Sequence, residues 1–140
     1  MQNNKGLTLV ELLIALVITL VLFLALMQTA LLSINTNTMN SLRDEAVRIA
    51  EMRANEARNS SFDDLESDAG DNCPDVFTVP PLSDNGVLIE RNIRNISNFD
   101  FCTHMEVADI GDNKRVDITV GWLWKAVPYT HNISTIVRSQ

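Results

Sequence analysis

Lys5-Gly6-Leu7-Thr8-Leu9-Val10-Glu11-Leu12-Leu13-Ile14-Ala15 opens an apolar run that closes only at Leu32. Across the 26 positions from 7 to 32 the only polar side chains are Thr8, Glu11, Thr19, Gln28 and Thr29. As a helix rising about 1.5 Å per residue this run extends about 39 Å, enough to cross a hydrocarbon core of about 30 Å. A secretory signal peptide has a shorter apolar core, roughly 7 to 15 residues, and a small-residue cleavage site; no such site follows here. The expectation is a membrane-spanning helix.

Basic residues orient it. Lys5 precedes the run, and the next Lys or Arg is Arg43, so the N-terminus is expected in the cytoplasm and the remainder on the far side of the membrane. Glu11 lies only four residues inside the run, where an ionised carboxylate costs about 2.5 to 3.5 kcal/mol on insertion scales. It either reaches back to the interface or finds a cationic partner.

Residues 5–15 closely resemble the class III signal of type IV pilins and type II secretion pseudopilins. In that family an aspartyl peptidase in the membrane cuts after the glycine and methylates the new N-terminus. The resemblance therefore implies a leader at 1–6, cleavage between Gly6 and Leu7, and Glu11 as the family's characteristic glutamate, which guides subunit assembly. Glycine permits close approach of a protease to the backbone. The new amine can neutralise the buried carboxylate of a neighbouring subunit and so set axial register. Two positions depart from the pattern: Leu7 replaces the usual phenylalanine, and Gln28 stands where major pilins commonly carry a proline. Both favour a minor subunit over the bulk subunit of a pilus.

Beyond the polar patch Asn35-Thr36-Asn37-Thr38, apolar residues recur at Met39, Leu42, Ala46, Ile49, Ala50, Ala54 and Ala57, the spacing of one helix face. Asp44 with Arg48, and Arg53 with Glu56, are positioned to support that helix. The helix is expected to pass from a transmembrane half (7–32) into an amphipathic half (33–60), with Asn59-Ser60-Ser61 ending it. Asn35 to Thr38 has poor helix propensity and reads equally as a local hinge or as a well-solvated surface turn of helix.

Residues 61–140 read as an exported domain. Residues 63–72 are acidic and small, and Cys73-Pro74 and Pro80-Pro81 punctuate a loop. Alternation marks strands over 87–93 and 99–107, Gly111-Asp112-Asn113 marks a turn, and Val116, Ile118, Val120, Trp122 and Trp124 form the clearest strand face. Pro128 is expected to mark the next turn, with a final strand over 129–137. The sum is an α+β pilin fold, a long helix packed on about four antiparallel strands. The stretches 116–122 and 131–137 resemble the C-terminal hairpin of PilV-type minor pilins and their secretion-system relatives, and 45–51 with Arg58-Asn59 and Phe62 resembles the helix exit of that same group.

The full chain of 140 residues carries 18 Asp+Glu against 11 Lys+Arg, a formal charge of −7, and residues 67–112 hold nine acids and two bases. Nucleic-acid contact is not expected, because phosphate binding needs clustered basic residues. Cys73 and Cys102 are too far apart for a CxxC motif; as the only pair in an exported domain they are expected to form a disulfide, worth on the order of 3 to 4 kcal/mol for a loop of about 30 residues. His104 and His131 belong to no catalytic motif, so no enzyme, metal or cofactor is expected. Asp109, Asp112 and Asn113 lack EF-hand spacing and read as a turn. Trp122 and Trp124 read as core.

The expected function is that of a minor pilin, a structural subunit held in the bacterial inner membrane with a periplasmic domain and then inserted into a surface pilus. Its expected partners are other pilin subunits, the prepilin peptidase and the inner-membrane assembly platform. The alternatives are a minor pseudopilin of a secretion or DNA-uptake system, and a single-pass anchored binding module in which Glu11 is incidental.

Overall fold

In the computed structural model the structure describes residues 8–70, 73–74, 77, 86–94 and 96–139. One helix, α1 (Leu9–Asn59), is followed by strands β1 (Val87–Ile93), β2 (Ile96–Ile110), β3 (Asn113–Trp124) and β4 (Val127–Arg138). The strands form one antiparallel sheet in the order β1-β2-β3-β4. The chain divides into two compact units, Met1–Thr38 and Met39–Gln140.

In the first unit the apolar residues of α1 have no protein cover: Leu9 is 80% exposed and Phe23 65%. Asn35 to Thr38 does not interrupt the helix. Thr36 and Thr38 turn their hydroxyls back to the carbonyls of Leu32 (3.0 Å) and Ile34 (3.0 Å), which satisfies side chains that would otherwise compete with the backbone.

In the second unit α1 buries Leu42, Ala46, Ile49, Ala50, Ala54 and Ala57 against Phe101, Val116, Ile118, Val120 and Trp122. This is the face drawn by the apolar spacing. Four of those six helix residues are alanines, which let the helix backbone approach the sheet closely. The ion pairs that hold the helix differ in part from expectation. Arg48 pairs with Glu45 (3.7 Å) rather than with Asp44, and the same carboxylate also pairs with Arg91 of β1 (3.4 Å). Arg53 does reach Glu56 (3.3 Å).

The strands run longer than alternation alone marks, and their turns account for the difference. Ile110 pairs with Asn113 around Gly111, which takes a φ of 59°, the left-handed region glycine enters without steric cost. Pro128 is not a turn. It lies within β4 opposite Leu123, and the turn is Lys125-Ala126, both left-handed at φ 52° and 63°. β4 is an edge strand, where a missing backbone donor is tolerated. Between β1 and β2 the register shifts, Arg91 pairing with Phe99 but Ile93 with Ile96, so β2 carries one extra residue. Asn98 absorbs it at φ 53°, and its N–H donates to Asn92 Oδ1 (2.9 Å).

Candidate assembly site

Thr8 is the N-cap of α1. Its Oγ1 accepts the Glu11 N–H (3.3 Å) and its carbonyl accepts the Leu12 N–H (3.1 Å). Thr8-Leu9-Val10-Glu11 thus has the spacing of a capping box, with the glutamate in the first turn where the helix dipole favours a negative charge. Glu11 is the only ionisable side chain between Thr8 and Arg43. The threonines deeper in the apolar stretch need no outside partner: Thr19 donates to the Ala15 carbonyl (2.8 Å) and Thr29 to the Ala25 carbonyl (3.1 Å). Hydroxyls satisfied within the helix enter a bilayer at little cost, so Glu11 is left as the group demanding an external counter-charge. Among the described residues α1 is the one helix long and apolar enough to cross a membrane. Gly6 and Leu7, the expected cleavage junction, lie outside the described residues.

Residues 1–27 match the prokaryotic N-terminal methylation motif. The match takes in the Gly6-Leu7 junction, the Thr8 cap and Glu11, and ends one residue before Gln28. It supports a relationship to the type IV pilin-like prepilins, over the same stretch that carries the resemblance in the sequence. Comparison with curated proteins and with solved structures found no match.

The other residues singled out from the sequence lie in the second unit. Cys73 and Cys102 are joined by a disulfide, their Cα atoms 5.7 Å apart. Cys102 projects from the sheet face opposite to its neighbour Phe101, and with Cys73, Phe77 and Leu123 it forms a small cluster there. The helix therefore covers one face of the sheet, and Cys73 and Phe77 cover part of the other. Trp122 is core: it is 3% exposed, its ring centroid lies 5.7 Å from Tyr129 and 6.2 Å from Phe101. Trp124 packs half-buried at the margin of the same core. His104 is buried on the outer face of β2 and His131 lies on β4, with β3 between the two strands. Asp109 pairs with Lys114 in the hairpin beside Gly111-Asp112, and no group of three or more His, Cys, Asp or Glu converges among the described residues.

Sequence reasoning missed a clasp that fixes the helix exit. β1 pairs with β2 only as far as Thr103, which leaves the β1-side edge of β2 at Met105 and Val107 without a strand beside it among the described residues. The acidic segment after α1 fills that place. Asp68 N–H donates to the Met105 carbonyl (2.9 Å), Met105 N–H donates to Asp68 Oδ2 (2.8 Å), and Val107 N–H donates to Ser67 Oγ (2.8 Å). Arg53 then closes on Asp68 at 2.6 Å and 2.5 Å. Burial by itself lowers the Arg53 pKa, but Asp68 and then Glu56 more than reverse this and hold it raised. On the far side Lys114 donates to the carbonyls of Phe62 (2.7 Å) and Leu65 (3.1 Å), its ammonium 4.9 Å from the Phe62 ring. The one signal in the sequence was Asp68 among small residues, within reach of a helix carrying Arg53.

Proposed function

We propose that the chain is a minor pilin, a non-enzymatic structural subunit of a type IV pilus. It is cut after Gly6 and methylated on Leu7 by a prepilin peptidase, held in the inner membrane through α1, and drawn into a filament by Glu11. The observation that carries this reading is the methylation motif over residues 1–27, placed at the start of a helix whose large apolar residues from Leu9 to Ile34 are exposed. Such a helix needs lipid before assembly and the helices of other subunits after it. The positive-inside pattern supports a periplasmic β-domain, in a compartment where thiols oxidise.

Two observations favour a minor subunit over a bulk one. The helix runs through Gln28 without a proline anywhere in Leu9–Asn59. The β3–β4 hairpin, at residues 116–122 and 131–137, is the part whose sequence resembles PilV-type minor pilins and their secretion-system relatives. Peptidase dependence tests the proposal. In a host with the prepilin peptidase the chain loses residues 1–6, and in a strain lacking it the chain keeps them. A merely anchored module has the same N-terminus in both strains.

A further inference from the structure

β4 (Val127–Arg138) is an outer strand of the sheet that pairs only with β3, and no Lys, Arg, Asp or Glu occurs in it before Arg138. Natural sheets blunt so long an edge with charges, bulges or prolines, because its free N–H and C=O groups are a template for another strand. Here Pro128 blunts only the beginning. The turn fixes which backbone groups are free. In the two-residue turn Lys125-Ala126 the flanking pair, Trp124 and Val127, is the hydrogen-bonded one, so the odd-numbered residues of β4 turn N–H and C=O toward β3. The even-numbered residues turn theirs outward, which is also where Pro128 forfeits no ladder bond. Thr130, Asn132, Ser134 and Ile136 therefore present outward N–H groups, and all of them are exposed.

The same alternation reaches the opposite edge, β1. Ile110 and Asn113 flank Gly111-Asp112 as a bonded pair, so the odd-numbered residues of β2 face β1, as the Met105 N–H and carbonyl bonded to Asp68 show. They bond Val87, Ile89 and Arg91, which directs the backbone groups of Leu88 and Glu90 away from the sheet. Four alternating strands leave the two outer ones running in opposite directions. β4 of one copy and β1 of another copy in the same orientation are therefore antiparallel. The outward residues of both strands also share a side-chain face, the one away from α1, Ser134 beside Asp117 and Leu88 beside Cys102. Their pairing keeps α1 on the same face in both copies. A two-fold axis joining β4 to β4 also gives an antiparallel pair, but it reverses the α1 segment that lies on the sheet. Two such chains enter their domains from opposite sides, which chains anchored in one membrane do not.

We propose that β4 of one copy pairs antiparallel with β1 of a second copy, extending the sheet from one exported domain to the next. This rests on the reading above that α1 holds every copy in one membrane before assembly. Contact between two different edges is heterologous and repeats without closing, as a filament requires, and two neighbouring copies suffice for it, so it asks for no bulk subunit.

The test uses the full chain in its native host, with a photo-crosslinking residue in place of Thr130. Sheared filaments are irradiated, products at twice the mass of the chain are cut from a gel, and their linked peptides and N-terminus are read by mass spectrometry. The expected link runs from position 130 to residues 87–92 of a second copy, out of reach within one copy, where three strand spacings put β4 about 14 Å from β1. Asn132→Pro removes an outward N–H, leaves the β3 ladder whole, and lowers the yield at least about tenfold; Asn132→Ala, which keeps that N–H, leaves the yield unchanged. Leu88→Pro, the matching change on β1, gives the same loss. Co-expressed, the two proline variants link again in one direction, from β4 of the Leu88→Pro chain to β1 of the Asn132→Pro chain, which misfolded chains do not do. Links from position 130 only to β4 of a second copy, to lipid or to another protein, or β4-to-β1 links undiminished in both proline variants, overturn the proposal and, on a chain that begins at Leu7, leave the assembly reading standing. An intact Met1 on the filament-associated chain overturns the assembly reading itself, and the proposal with it.

Discussion

At the scale of single residues, Glu11 and Asp68 are both carboxylates whose counter-charge decides what they do. Asp68 finds its partner within the chain: it bonds Arg53 and the Met105 backbone with side chains largely shielded from water, 17% exposed for Arg53 and 13% for Asp68. Asp68→Ala leaves Arg53 only the exposed Glu56 and leaves the Met105 N–H without its acceptor. It is expected to destabilise the domain by about 2 to 3 kcal/mol in a denaturant titration of the chain in micelles. Asp68→Asn, which retains an acceptor for Met105, costs less; equal stability of Asp68→Ala and the parent contradicts the clasp. Among the described residues Glu11 has only its own helix N-terminus, so Glu11→Ala removes a charge from the membrane and sacrifices no apolar area. Insertion is expected to be equal or easier, and the exported domain unchanged. Entry into sheared filaments falls at least about tenfold, since a buried amine without its carboxylate costs several kcal/mol. Filament entry at the parental level makes Glu11 a tolerated interfacial residue.

At the scale of elements, what was legible in the sequence was whatever repeats. The 3- and 4-residue spacing from Leu42 to Ala57 names the buried helix face, and alternation from Val116 to Trp122 names the strand that faces it. Turns without turn residues were not legible. Lys125-Ala126 has neither the glycine nor the asparagine that a two-residue hairpin with both φ values positive normally demands, so Pro128, three residues on, drew the turn to itself. The same observation yields a prediction. Ala126 at φ 63° holds a conformation that costs an alanine about 1 to 2 kcal/mol, while glycine pays part of that back in a more flexible unfolded chain. Ala126→Gly is therefore expected to stabilise the domain by about 0.5 to 1 kcal/mol. A lower unfolding midpoint for that variant contradicts a left-handed turn at this position. The clasp of residues 67–68 on β2 was equally hidden, because a side chain that replaces a missing strand obeys no period. Only the shortness of β1 relative to β2 exposes the vacancy it fills.

On the scale of the whole molecule, two different needs meet in one helix. Its first unit carries uncovered apolar side chains with a single carboxylate near the N-terminus, and its second unit carries an alanine-rich face matched to a sheet. A membrane anchor explains the first, and a globular domain the second. In the function proposed above, the methylation motif over residues 1–27 marks the two together as a subunit that leaves the membrane for a filament. That transfer is the central claim, and it is written at the N-terminus of the assembled protein. Mass spectrometry of the chain recovered from sheared filaments of the native host is expected to show an N-terminal Leu7 about 14 Da heavier than the unmodified residue, the mass of one added methylene. Filament-associated chain that still begins at Met1 contradicts the account.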